Sequence, residues 1–406
     1  MNDGAPDGQA ASRAGAVREV FLAFLRLGLT SFGGPVAHLG YFRAEFVERR
    51  KWLTDGAYAD LVALCQFLPG PASSQVGMAI GLQRAGVGGL VAAWTGFTLP
   101  SALLLVGFAL GTAGLTDLAQ AGWVLGLKAG SVAVVAHAVL GMARTLTPDA
   151  RRAIIAAAAM ILVLLVPSAW AQIGAIVVSG LVGLTWLRNI AAPASASSTF
   201  APRLPRAAAV GCLVAFLVLL LGLPAVAAAT GGGALGLFDT FYRAGALVFG
   251  GGHVVLPLLQ AEVVQTGLVD PGVFLAGYGA AQAVPGPLFT FAAYLGAVTT
   301  SPPSGLLGAA IALGAMFLPS ALLLMGVLPF WQRLREVPQA QALLMGVNAG
   351  VVGLLAAALY HPVFTEGIDG AASLAIAVAA FVAFAAWKAP AWAVVLAAAL
   401  LGALTL

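Results

Sequence analysis

Charge is scarce in this sequence. Only 8% of its residues are Asp, Glu, Lys or Arg, where a soluble globular domain carries roughly 25%. Such a chain cannot cover a water-facing surface, so a soluble enzyme or binding module is excluded. Cysteine is nearly absent: Cys65 and Cys212 both lie in apolar stretches, and two isolated thiols make neither a disulfide framework nor a metal site. Also missing are H-E-x-x-H, G-x-S-x-G, a Walker loop and any metal-spaced Cys/His cluster. No enzyme activity, cofactor or metal is therefore expected. Without an ATP-binding domain, active transport would have to draw on an ion gradient or on exchange. A net charge of +4 gives no reason to expect nucleic acid as a partner.

Apolar length is what the chain has instead. Of its 406 residues, 61% are hydrophobic, and the mean hydropathy is +0.99. The first sixteen residues read as a disordered cytoplasmic tail. They lack the basic start and cleavage site of a signal peptide, so the first span is expected to act as its own insertion signal. Apolar segments follow at 17–38, 57–82, 86–112, 120–143, 152–166 and 170–187, and then a Pro/Ser/Arg-bearing linker over 189–206. Further segments lie at 207–229, 235–258, 271–296, 305–329, 339–360, 370–387 and 389–406. Each is close to the ~20 residues needed to cross a bilayer. The expectation is an all-α polytopic membrane protein with about 13 transmembrane segments.

The two halves repeat each other. Phe24, Arg26, Gly28, Phe32, Gly33 and Gly34 match Phe241, Arg243, Gly245, Phe249, Gly250 and Gly251 at an offset of 217, and Glu45 matches Glu262. Leu99-Pro100-Ser101-Ala102 matches Leu318-Pro319-Ser320-Ala321, and Gly126, Ala129 and Gly130 match Gly346, Ala349 and Gly350. The expected units are 17–188 and 235–406, joined by the linker and a connecting helix within 207–234. Of the 19 Lys and Arg, Arg26, Lys128 and Arg243 lie within spans, with Arg18 and Arg152, at the span ends, counted as outside. With 13 spans the other 16 divide 12 to 4, which places the N-terminus in the cytoplasm and inverts the second repeat. All four exceptions, Arg43, Arg49, Arg50 and Lys51, share one loop. Re-entry of 17–38 and 57–82 would bring that loop inside.

One motif occurs in both halves: Gln66-Phe67-Leu68-Pro69-Gly70-Pro71 and Gln282-Ala283-Val284-Pro285-Gly286-Pro287. Two prolines flanking a glycine cannot continue a helix, and broken helices at matching positions of two halves point to a transporter binding site. Gly33-Gly34 and Gly250-Gly251 form a second repeated break, where backbone N–H groups could form an anion nest; close helix packing is the alternative. Arg26 and Arg243 read either as paired anchors for an oxyanion or as structural partners of Asp60, Asp239, Glu45 or Glu262. Lys128, with Asn348 at its repeat position, is a third candidate. Gln66 and Gln282 could donate to substrate or satisfy opened backbone. Glu45, Glu262 and His253 are candidates for proton coupling; His38 and His137 read more simply as satisfied polar residues.

The R-x-G-x-x-x-F-G-G run from Arg26 to Gly34, the F-R-x-E-F-V-E-R-R-K-W-L stretch from Phe42 to Leu53, and Q-F-L-P-G-P together resemble the chromate ion transporter family. The resemblance spans both halves and implies a long, two-domain member made by fusing two short ones in opposite orientation. It implies export of chromate across the bacterial inner membrane, with sulfate as a related oxyanion, driven by the proton motive force or by exchange. The second half departs at Gly252-His253 and lacks the Arg49-Arg50-Lys51 cluster. Alternatives are an anion-selective channel for small oxyanions and an intramembrane enzyme acting on a lipid phosphate, whose metal-binding acid cluster is not found. Lipid is the expected surroundings, and a possible homodimer is the only protein partner considered.

Overall fold

A computed structural model describes residues 7–112, 121–166, 168–189, 204–249, 255–334 and 337–406. All regular structure among them is helical. The first half contains α1 (Asp7–Thr30), α2 (Gly34–Arg43, ending in a π-helical turn Ala44–Arg49), α3 (Asp55–Phe67), α4 (Ala72–Thr112), α5 (Gly122–Leu146), α6 (Ala150–Leu165) and α7 (Ala169–Trp186). After α8 (Arg206–Ala229) the second half repeats the plan. It contains α9 (Gly233–Leu247), α10 (Val255–Leu259, with a π turn Gln260–Val264), α11 (Pro271–Ala283), α12 (Phe291–Val298) and α13 (Gly305–Val327). Short α14 (Trp331–Leu334), then α15 (Pro338–Ala358), short α16 (Thr365–Gly367), α17 (Ala371–Ala385) and α18 (Ala391–Thr405) complete it. Among the described residues, five helical stretches are long and apolar enough to cross a membrane: Ala72–Thr112, Gly122–Leu146, Arg206–Ala229, Gly305–Leu334 and Pro338–Gly367. Helix α1 begins inside the stretch expected as a disordered tail. Gln9, Ala10, Ala11 and Arg13 are good helix formers and simply extend it.

Four of the expected spans fold back on themselves. In α4, Ala85 and Gly86 leave helical geometry (Gly86 φ +64°) and divide it into 72–84 and 87–112. Helices α1 and α2 then form a hairpin around Ser31-Phe32-Gly33. Phe24 of α1 stacks on Phe46 at 4.8 Å and meets Phe42 edge-on at 5.5 Å. Arg50, past the end of α2, reaches Glu19, midway along α1, at 3.1 Å. Helix α3 and residues 72–84 form the next hairpin. Arg84 at its far end binds Glu19 at 2.9 Å and lies 5.2 Å over the ring of Trp52, which precedes α3.

The second half does the same. Arg243 of α9 holds Glu262 beyond α10. Tyr294 of α12 donates to the carbonyl of Val273 in α11 at 3.1 Å, and Thr300 N–H to Leu268 O at 3.0 Å closes the base of the hairpin. Residues 273 and 294 would be about 30 Å apart in one continuous helix, so segment 271–296 is not a single rod. Proline and glycine explain the reversals: Pro69 and Pro285 lack donors, and Gly70 and Gly286 sit at φ +120° and +98°, which a side chain disfavours.

The halves are intertwined. Helix α5 packs on α17 and α18 of the second half, and α15 packs on α6 and α7 of the first. Glycine makes both crossings: a Cβ on Gly126 would collide with the carbonyl of Ala398, and one on Gly346 with that of Ser179. Without a hydrophobic driving force in lipid, such close backbone approach is what associates helices. Helix α8 lies against α9 and α13.

Candidate functional site

The proline–glycine tips of the hairpins are each received by the opposite half. Gly70 N–H donates to Val248 O at 2.7 Å, where α9 ends; Gly286 N–H donates to Ser31 O at 2.9 Å, where α1 ends. Residues 31 and 248 are repeat equivalents, as are 70 and 286, so these are two copies of one contact. Ser320 of α13 stands against Gly70, and Ser101 of α4 against Gly286. The repeated Leu-Pro-Ser-Ala signal marked both serines without showing what they face.

Polar atoms gather around these tips. His38 is fully buried, with Nε2 3.3 Å from Ser31 O, Nδ1 3.4 Å from Ser73 Oγ and its ring edge-on to Phe97. The hydroxyls of Ser31, Ser74, Thr98 and Ser320, and Gln282 Nε2, are buried and lack a partner among the described residues. All five can donate. Helix α2 starts here on Gly33 in left-handed conformation (φ +102°), with no side chain capping its first turn. The N-terminus of α4 starts at Ala72, directly after the first tip. Helix N-termini carry partial positive charge and free N–H groups, and so attract anions. The carbonyl ends of α1 and α9 are already occupied by the glycine N–H groups. The unpartnered groups here, among the described residues, are mostly donors, with Gln75 Oε1 beside the first tip the one buried acceptor among them.

The predicted site residues divide. Gly33, Gly34, Pro69, Gly70, Pro71, Gln282, Pro285, Gly286 and Pro287 lie at the tips; Gly33 and Gln66 are exposed there, while Gln282 binds Tyr278 and is partly buried. Gly250, Gly251 and His253 lie outside the described residues. Arg26 and Arg243 do not form a matched pair. Arg26 is on the exposed face of α1 between Leu22 and Leu29. Arg243 is clamped: Nε bonds Asp239 Oδ2 at 3.0 Å, and Nη1 and Nη2 bond the two oxygens of Glu262 at 2.8 and 2.9 Å. Leu22 occupies the repeat position of Asp239, and a hydrophobic residue there cannot engage Arg26.

Lys128 is buried near the base of α11. Its Nζ and Asp270 Oδ1 each lie 3.1 Å from where a Cβ on Gly272 would stand. That is about 16 Å of helix from the tip. Asn348 sits partly buried on α15. Glu45, outside the apolar stretches, pairs with Arg49 and Arg50. Burial alone would raise its carboxyl, but the two arginines outweigh burial and hold it below the usual carboxylate value. A carboxylate kept ionised is a poor proton carrier near neutrality. The unpartnered hydroxyls were missed, because single serines and threonines in apolar helices commonly bond their own backbone.

Apolar helices of membrane length, with hairpins meeting around a buried donor-rich centre, define a multi-pass membrane protein. Comparison with known proteins makes this specific. The chain belongs to the chromate transporter family, which matches residues 18–184 and 235–403, one match in each half. It is 31% identical over 356 residues to the chromate transport protein of Pseudomonas aeruginosa, covering 84% of this chain and 79% of that one. It is 28% identical to the chromate transport protein of Cupriavidus metallidurans, covering 84% and 82%. To the probable chromate transport protein of Synechococcus elongatus it is 27% identical, covering 85% and 84%. No solved structure matches this chain. The family is one of transporters, not of enzymes.

Proposed function

We propose that this protein is a secondary transporter that exports chromate, with sulfate as a related oxyanion, from the bacterial cytoplasm, driven by the proton motive force or by anion exchange. The reciprocal contact of the two tips carries this reading. Two hairpins, each latched onto the opposite half by one glycine N–H, form an element that can open on one side while closing on the other. The oxyanion would take the donors of Ser31, Ser74, Thr98, Ser320 and Gln282, with the first turns of α2 and α4 and the nest at Gly33-Gly34. Neutral donors can hold a divalent anion without binding it too tightly to release. Arg26, exposed on α1, is the remaining candidate for a cationic anchor.

Topology supports an inverted arrangement. Counting four re-entrant hairpins leaves nine crossings: residues 87–112, α5, α6, α7, α8, α13, α15, α17 and α18. All 16 Lys and Arg outside the apolar segments then fall on the N-terminal side and none on the other. Arg43, Arg49, Arg50 and Lys51, which conflicted with thirteen crossings, join that side because their loop meets Glu19 and Arg84. The positive side is cytoplasmic. The N-terminus is thus inside, the C-terminus outside, and the second repeat starts from the opposite face.

Uptake of labelled chromate and sulfate into inverted vesicles, with and without a proton gradient, tests the reading. Saturable chromate uptake that responds to the gradient or to a counter-anion is expected. A conductance linear in voltage and indifferent to both would refute it.

A further inference from the structure

The cluster around Arg243 is not arranged to hold an anion. Asp239 and Glu262 bring two carboxylates to one guanidinium, which leaves a net charge of −1 if all three are ionised. Asp239 is 5% exposed and Glu262 8%. Arg243 gives three of its five N–H groups to them. Two acceptors, Asp239 Oδ1 and Gln172 Oε1, are buried and have no hydrogen-bond partner among the described residues. Gln172 comes from α7, so it is independent of the acidic pair. It lines a cavity of about 10 Å³ together with Arg243 and Glu262. Asp239 and Arg243 also line a larger groove of about 800 Å³ between α8 and α9, which runs to Gly231 and Gly232 at the α8–α9 turn. Two buried acceptors facing no donor are costly, and an excess negative charge held out of water costs more. What the cluster lacks is one proton.

We propose that Asp239, positioned by Arg243 and Glu262, is the proton-binding site of this transporter and is loaded through the α8–α9 groove. The idea rests on the transport reading above only for its coupling role. A proton from water in the groove forms an O–H bond at Oδ1, while Oδ2 continues to accept from Arg243 Nε. The cluster passes from −1 to neutral, and the new O–H supplies the missing donor. The groups facing Asp239 are few. Arg243 lies on its own helix and Glu262 on the π turn; α7 contributes Ile173 to the groove that Asp239 lines, with the uncharged Gln172 in the small cavity beside Arg243 and Glu262, and α8 contributes only apolar side chains. Glu262, held by both of its oxygens, stays the fixed counter-charge. The acidic cluster is not repeated, because the first half has Leu22 at the position of Asp239. In the orientation proposed above the groove opens outward, so a proton entering there would move against exported chromate.

The full chain, purified and reconstituted in liposomes, provides two readouts. Infrared difference spectra between acid and alkaline pH report a protonated buried carboxyl directly. Chromate flux driven by a pH gradient is compared with chromate counterflow at equal pH. The wild type should show the carboxyl band, and Asp239→Asn should lose it. In Asp239→Asn, gradient-driven flux should fall much further than counterflow. Asp239→Leu, which copies the first half, should behave the same way, and elution as an intact species with residual counterflow shows that both variants fold. A carboxyl band or a pH-driven flux that persists in both variants overturns the proposal, as does a flux that follows a sodium gradient at fixed pH. A band that disappears with Asp239 while wild-type chromate ignores the pH gradient upholds the proton site and overturns proton-driven export.

Discussion

Gly70→Ala is the sharpest perturbation of the tip contact. Gly70 sits at φ +120°, where a residue with a side chain costs about 1–3 kcal/mol. Its new Cβ would overlap Ser320 Oγ and lie 2.8 Å from Gln75 Nε2, and overpacking of this kind adds about 1–3 kcal/mol. Even the lower sum, about 2 kcal/mol, shifts the docking of the first tip by roughly 30-fold. Ser320→Ala separates the two contributions. Ser320 Oγ has no partner among the described residues, so the single change should be close to neutral for stability. In the double variant it should restore the steric share and leave the backbone share. Thermal unfolding in detergent should therefore rank wild type and Ser320→Ala first, the double variant next and Gly70→Ala last, while chromate uptake into inverted vesicles should fall in Gly70→Ala and also in Ser320→Ala, which removes a proposed substrate donor. Wild-type behaviour of Gly70→Ala, or a double variant no better than the single one, would show that the tip does not dock as described.

Arg243→Met leaves Asp239 and Glu262 buried without a counter-charge, a loss of about 3–5 kcal/mol; adding Glu262→Gln should recover part of it in thermal melts. Arg243→Lys keeps the charge but not the two-pronged grip on Glu262, and should fall between Met and wild type. With Cys65 and Cys212 replaced, a cysteine at Lys51 should react with a membrane-impermeant reagent from the cytoplasmic side and one at Ser304 from the outside; the same side for both would break the inverted topology. Gly126→Val drives a side chain into the Ala398 carbonyl and should lower the melting temperature by separating α5 from α18, whereas Gly141→Val, where nothing lies within 4 Å, should not.

Much of this protein is legible as text. The scarcity of charge dictates a membrane location, because such a chain cannot be solvated. Two prolines around a glycine dictate a break wherever they fall, because the missing donors and the ring are local properties. The offset near 217 reveals the duplication, and with it the expectation that the breaks matter together. Whether an apolar segment crosses or turns back is not local. A hairpin of two short helices has the same hydropathy as one long helix, so segment 271–296 reads as a crossing, and for 57–82 the misplaced charges of the preceding loop leave crossing and re-entry both open. Only the pairing of Tyr294 with Val273, and of Arg84 with Glu19 and Trp52, reveals the reversal. The partner of Arg243 is likewise a consequence of folding. Asp239 is visible one turn away, but Glu262, 19 residues on, reaches the guanidinium only because α9 and α10 fold back on each other. The sequence by itself determined the class, the breaks and the repeat. The tertiary structure decided which half receives each tip and which buried acceptors are left without a proton, because hydrogen bonds between distant segments depend on how helices pack and not on the order of residues within them.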